Sequence, residues 1–165
     1  MRLYTIGYRD SETEKRLEPE QFYSQLPEDA VVVDIRSHPY SPFMREYSYS
    51  GVPESIDRWK PGKKDFFGIK TLGNVRRDEK KKRISPPIYV DAETGFQSLT
   101  AVLEEHDYAV IFCACSLLTI DSEIHRCHRF YVAEEMQQRL PYLEVIHLSL
   151  HAPTAPEQAS LTIDS

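Results

Sequence analysis

The 165-residue chain has no apolar run near the ~20 residues that a membrane-crossing helix needs. A membrane-spanning role is therefore not expected. The start, Met1-Arg2-Leu3-Tyr4, enters a strand pattern directly, without the apolar stretch of a secretory signal. Cysteine is scarce, at three residues, and without an export signal this argues for reduced thiols over a disulfide framework. The expected location is cytoplasmic. No internal repeat is detectable. The length allows one domain with a real core and is too short for two ordinary ones, which places a single domain at 1–150 and a tail of little periodicity at 151–165.

Positive charge is in deficit overall, with a net charge of −6 and a pI near 5.5, which argues against general nucleic-acid affinity. Its distribution is uneven. Residues 58–83 hold eleven of the twenty Lys and Arg residues against Asp65, Asp78 and Glu79, so the remainder of the chain is strongly acidic. Lys80, Lys81, Lys82 and Arg83 could meet phosphates while Trp59 stacks on an unpaired base, which makes this segment a candidate nucleic-acid interface. A solvated charge run is the plain alternative.

What is present is an alternation of strand and helix patterns. Strands are expected at residues 3–7, 30–36, 66–72, 109–113 and 143–148, and the runs at 30–33 and 109–113 are apolar without alternation, as in strands covered on both faces. Helices are expected at 18–26, at 96–105 from the apolar spacing Phe96, Leu99, Val102, Leu103, and from about Ile124 to Leu140, with Asp121 and Ser122 as caps. Residues 40–62 are rich in Tyr, Ser and Pro and have the character of a lid, and 75–83 reads as a basic helix or loop. The fold class that follows is α/β: a single domain with a largely parallel β-sheet of about five strands and helices on both faces.

Chemistry-bearing residues gather at the carboxyl ends of these strands. Cys113 closes one strand, Cys115 stands two residues on, and His125, Arg126, Cys127, His128 and Arg129 follow at the start of the next helix pattern. Asp34 and Arg36 close another strand and share a side of it, so burying both requires that they pair with each other or with a ligand. Cys113-Ala114 and Cys127-His128-Arg129, with Tyr4-Thr5-Ile6-Gly7, the run from Val33 to Ser41 and Leu72-Gly73-Asn74, resemble the domain-of-unknown-function family numbered 488, in matching order over roughly residues 3–150. The chain departs from that family's pattern at Tyr8 and Arg9, at Cys115, and in a longer loop between Cys113 and Cys127. A family so named implies no particular reaction.

Three chemistries fit the cluster. Cys113 facing a helix N-terminus suits a catalytic thiolate with His128 as its partner, on the plan of rhodanese-like and cysteine-phosphatase domains, although twelve residues separate Cys113 from Arg126 and the intervening run contains no glycine. Cys113, Cys115, Cys127 and His128 are soft metal ligands, but one residue between Cys113 and Cys115 is poor zinc spacing and arginines flank the histidines, so no metal or other cofactor is expected. The reading that uses most of the residues is binding of a small anionic, nucleotide-like ligand by Asp34, Arg36, Ser37, His125, Arg126 and Arg129.

Overall fold

The structure is a computed structural model and describes residues 1–7, 15, 19–27, 30–37, 66–77, 79–80, 84–113 and 126–148. The lid-like stretch 40–62, the tail 151–165, Trp59, Lys81, Lys82, Arg83, Cys115 and His125 lie outside the described residues.

Five strands form one sheet: β1 (Arg2–Gly7), β2 (Val31–Asp34), β3 (Phe66–Gly68), β4 (Tyr108–Cys113) and β5 (Glu144–His147). Every pairing is parallel, and the order across the sheet is β3-β2-β4-β1-β5. Among the described residues three α-helices accompany them: α1 (Pro19–Ser24), α2 (Ala92–Glu105) and α3 (His128–Arg139). Among the described residues no helix is long and apolar enough to cross a membrane.

The unbroken apolar strands acquire a helix layer on each side. On one face Leu3, Val31, Val33, Ala109 and Ile111 pack with Phe96, Leu99 and Leu103 of α2 and Val132, Ala133 and Met136 of α3. On the other, Ile6, Val32, Val110 and Phe112 pack with Phe22 of α1 and with Leu26 just beyond it. Burying each of the larger side chains contributes roughly 1.5–3 kcal/mol, and this two-sided burial is what a parallel sheet requires.

Local signals set the helix limits. Helix α2 starts earlier than its apolar spacing indicated because Asp91 caps it, its carboxylate accepting from the Thr94 backbone N–H at 3.2 Å and from the Thr94 hydroxyl at 2.7 Å. Helix α3 starts later than expected, at His128, since Cys127 is extended at φ −62° and ψ 138° and serves as N-cap. Arg126 and Cys127 thus precede the helix, and the expected helical opening through these residues is corrected. The third strand is also shorter than expected: it ends at Gly68, and Lys70–Leu72 coils into a 3-10 turn.

The connections fix the crevice. From β1 through α1 the chain moves past β4 to β2, whereas from β4 through α3 it moves past β1 to β5, in the opposite direction. Right-handed crossovers travelling in opposite directions lie on opposite faces, as α1 and α3 do here. The chain therefore diverges above and below the sheet at the carboxyl ends of β1 and β4, where Gly7 and Cys113 are register partners. Such a switch point is where open α/β sheets place ligands.

Candidate active site

Helix α3 buries Arg129, Val132, Ala133 and Met136, the i, i+3, i+4, i+7 stripe that faces the sheet. Arg129 occupies an apolar-stripe position and is fully buried. A guanidinium there stays charged and needs compensation. Its Nη1 donates a hydrogen bond to the Cys113 Sγ at 3.2 Å, and the guanidinium carbon lies 4.7 Å from the centre of the Phe130 ring.

Cys113 belongs to the α3 face, because it shares strand parity with Ile111 and Ala109. Its Sγ lies 2.7 Å from the Sγ of Cys127, and both are free thiols. Next along the chain, the His128 Nε2 lies 3.1 Å from the Ile35 carbonyl oxygen. A carbonyl only accepts, so Nε2 carries the hydrogen and donates it, while Nδ1 faces the Cys127 Sγ at 3.9 Å. The fold thus brings Cys113, Cys127, His128 and Arg129 into one buried cluster with Phe130 as its apolar wall.

Asp34 and Arg36 sit on the other face. Asp34 is the register partner of Phe112, whose ring packs 5.5 Å from that of Phe22. The Arg36 Nε donates to both carboxylate oxygens of Asp34 at 2.9 and 3.1 Å, its Nη2 donates at 2.7 Å, and its backbone N–H adds a bond at 3.0 Å. The guanidinium carbon is 5.2 Å from the Phe112 ring centre. Burial pushes the Asp34 carboxyl up from its ordinary value, against the pull of the Arg36 charge and hydrogen bonds. Arg36 and Arg129 thus have separate, named partners on opposite faces of the sheet.

The remaining expected residues are placed as follows. Ser37 donates to the Asn74 carbonyl at 3.5 Å, and Gly73 lies against its backbone. Arg126 precedes α3, pairs with Glu134 and carries a partly exposed side chain. Its carbonyl accepts a hydrogen bond from the Ser85 hydroxyl. Lys80 is exposed in a turn. Elsewhere in the basic segment, Arg76 donates to the Pro86 carbonyl at 3.0 Å and Arg77 to the Asn74 carbonyl at 3.1 Å, so both help shape the loop.

Asn74 stood out in the sequence only within the Leu72-Gly73-Asn74 segment of the resemblance, without a role, and Ser85 did not stand out at all. Asn74 ties three points of residues 73–89: its Nδ2 donates to the Ile84 carbonyl, and its Oδ1 accepts from the backbone N–H groups of Arg76 and Ile88.

Compared with protein-family models, with curated proteins and with solved structures, the chain finds no match.

Beside the thiol cluster, the His147 Nδ1 lies 2.7 Å from the Thr5 hydroxyl, and the ring packs 4.8 Å from that of Phe130. Burial, then the charges of Arg129 and Arg126, lower the His147 pKa below its ordinary value. The folded state therefore disfavours the proton, and the stabilisation from neutral His147 is present above about pH 6.5 and lost as pH falls. Since His147 is only partly covered at the end of β5, the effect is small: denaturant midpoints should drop slightly between pH 7.5 and 5, and His147→Gln should flatten that drop. An equally steep drop in the variant would show that His147 is not its source.

Proposed function

We propose that the chain is a cysteine-dependent enzyme in which Cys113 attacks a small anionic substrate at the carboxyl edge of the sheet. One observation carries the reading: a fully buried arginine occupies the apolar stripe of α3 and donates to the Cys113 sulfur at 3.2 Å. A hydrogen bond from a guanidinium favours thiolate over thiol, and the thiolate is the nucleophile. A bond forms between the Cys113 sulfur and the electrophilic atom of the substrate, while the leaving group departs with the electron pair. The α3 N-terminus and the partly exposed Arg126 supply positive potential for an anion. Arg129 is a positioning residue, and Asp34 with Arg36 braces the neighbouring strand end. Membership in the domain-of-unknown-function family numbered 488 is part of the same proposal. Of the segments carrying that resemblance, Cys113 and Cys127-His128-Arg129 meet here, with the Ile35 carbonyl of the Val33 to Ser41 run hydrogen-bonded to His128 and Gly7 beside Cys113 in the sheet.

The test is alkylation of the reduced protein by iodoacetamide at neutral pH, with peptide mapping. Although Cys113 is buried, the small reagent should still modify it, and its rate should fall less on lowering the pH to about 6 than that of a cysteine in an unstructured peptide, whose thiol is then almost wholly protonated. Arg129→Met should slow the Cys113 reaction about tenfold, the worth of one charge-assisted hydrogen bond of roughly 1.5 kcal/mol, and Arg129→Lys should recover part of the rate. A Cys113 that stays unmodified in the folded parent protein, or reacts equally fast in Arg129→Met, would overturn the reading.

A further inference from the structure

We propose that Cys113, Cys127 and His128 form a site for one soft divalent cation, zinc by its chemistry, which binds the nucleophilic sulfur and holds the enzyme silent. The silencing rests on the function proposed above. The binding stands on the ligand geometry alone.

Two thiol sulfurs and one imidazole nitrogen lie within 4.8 Å of one another, and all three residues are buried. Zinc takes sulfur at about 2.3 Å and imidazole nitrogen at about 2.0–2.1 Å, so tetrahedral ligands on one ion sit roughly 3.5–3.8 Å apart. The Cys127 Sγ to His128 Nδ1 distance of 3.9 Å is close to that spacing. The 2.7 Å between the sulfurs must widen by about 1 Å as the ion enters.

The imidazole is set for ligation. By donating Nε2–H to the Ile35 carbonyl, His128 takes the tautomer whose Nδ1 carries the lone pair, and the bond fixes the ring plane. Metal-bound histidines ordinarily make this contact with the nitrogen that does not touch the metal. Sulfur ligands select zinc over magnesium or calcium.

Charge decides whether the flanking arginines forbid a cation. Two thiolates neutralise the divalent ion, and the protons their thiols carried leave to solvent as it enters. Arg129 donates to the Cys113 sulfur, so its charge stabilises a ligand, and Arg126 is paired with Glu134. Three protein ligands leave a fourth position for water or an anion. Cys113, Cys127 and His128 are legible in the sequence as soft ligands, but Cys113 and Cys127 stand fourteen positions apart and meet only because α3 begins over the end of β4.

The experiment uses the reduced full chain, stripped with a chelator and titrated with cobalt(II). One cobalt per chain is expected, with intense sulfur-to-metal absorption in the near ultraviolet, displacement by zinc, and loss of the absorption in Cys127→Ser. His128→Gln should weaken cobalt binding while keeping the sulfur absorption. Zinc should stop alkylation of Cys113 by iodoacetamide, and chelator should restore it. If cobalt gives no such absorption while Cys113 still alkylates, the metal site is overturned and the proposed enzyme stands. If cobalt binds as described but the stripped protein does not alkylate at Cys113, the nucleophile falls and the metal site stands. Mass spectrometry showing the purified chain two hydrogens lighter, with Cys113 bonded to Cys127 and re-forming that bond after reduction in preference to binding cobalt, overturns the metal site in favour of a disulfide pair.

Discussion

Asp34→Ala is expected to lower the free energy of unfolding by about 3–5 kcal/mol, the cost of breaking a buried ion pair by removing one member. The Asp34 carboxylate receives four hydrogen bonds from Arg36, three from the guanidinium and one from the backbone. Both side chains are almost wholly buried. After the substitution the guanidinium would remain over the Phe112 ring without that carboxylate, and the chain leaving β2 would lose its brace. The informative comparison is the double variant Asp34→Ala, Arg36→Met, which removes both charges and keeps much of the arginine's apolar volume. It should recover most of the loss, because replacing a whole buried pair with apolar groups is often nearly neutral. Urea denaturation followed by circular dichroism measures all three proteins. A double variant as unstable as Asp34→Ala would mean that the pair contributes through the shape it gives the loop, not through its charges.

Gly73→Ala should destabilise the protein by about 3 kcal/mol, at the upper end of what overpacking costs. The backbone at Gly73, φ −70° and ψ 133°, suits any residue, so conformational strain is not the reason. The reason is proximity: a Cβ there would lie 2.1 Å from the Ser37 backbone nitrogen and 2.2 Å from its Cα. Backbone cannot rotate aside as a side chain would, so the segment after β2 or the 3-10 turn must move. Since Ser37 follows Arg36 directly, the shift should also disturb the Asp34–Arg36 pair. Urea denaturation reads the stability, and a loss below about 0.5 kcal/mol, the ordinary range for surface changes, would show that the contact relaxes freely.

Most of the architecture was legible because burial on both faces writes itself as unbroken apolar runs at Val31–Val33 and Ala109–Phe112. Arg129 was legible as a candidate, but its partner was not. Alternation along β2 and β4 assigns Arg36 and Cys113 to opposite faces only once the register that pairs Asp34 with Phe112 is known, and that placement argues against a shared anion for Arg36 and Arg129. The start of α3 was obscured by the polar residues before His128, whose capping pattern suggested an earlier beginning. That Cys113 and Cys127 gather at one edge of the sheet was legible, but their direct contact was not. It depends on how a crossover helix lies over a strand end, and no local spacing encodes that.

The strand order has a consequence for how the chain acquires its structure. β1 pairs only with β4 and β5, and its partners for Arg2 are Tyr108 and Glu144. β2, in turn, meets β4 at Val31 and Ala109. A nascent chain that has emerged through α2 therefore holds β1 with neither of its neighbours and β2 with only β3. The centre of the sheet closes when β4 inserts between β1 and β2, a step that joins segments more than seventy residues apart in sequence. Closing such long loops before their contacts form is the costly part of folding such a sheet, so β4 is the strand on which folding waits. The strand that ends in Cys113 thereby sets both when the sheet closes and where the thiol cluster stands.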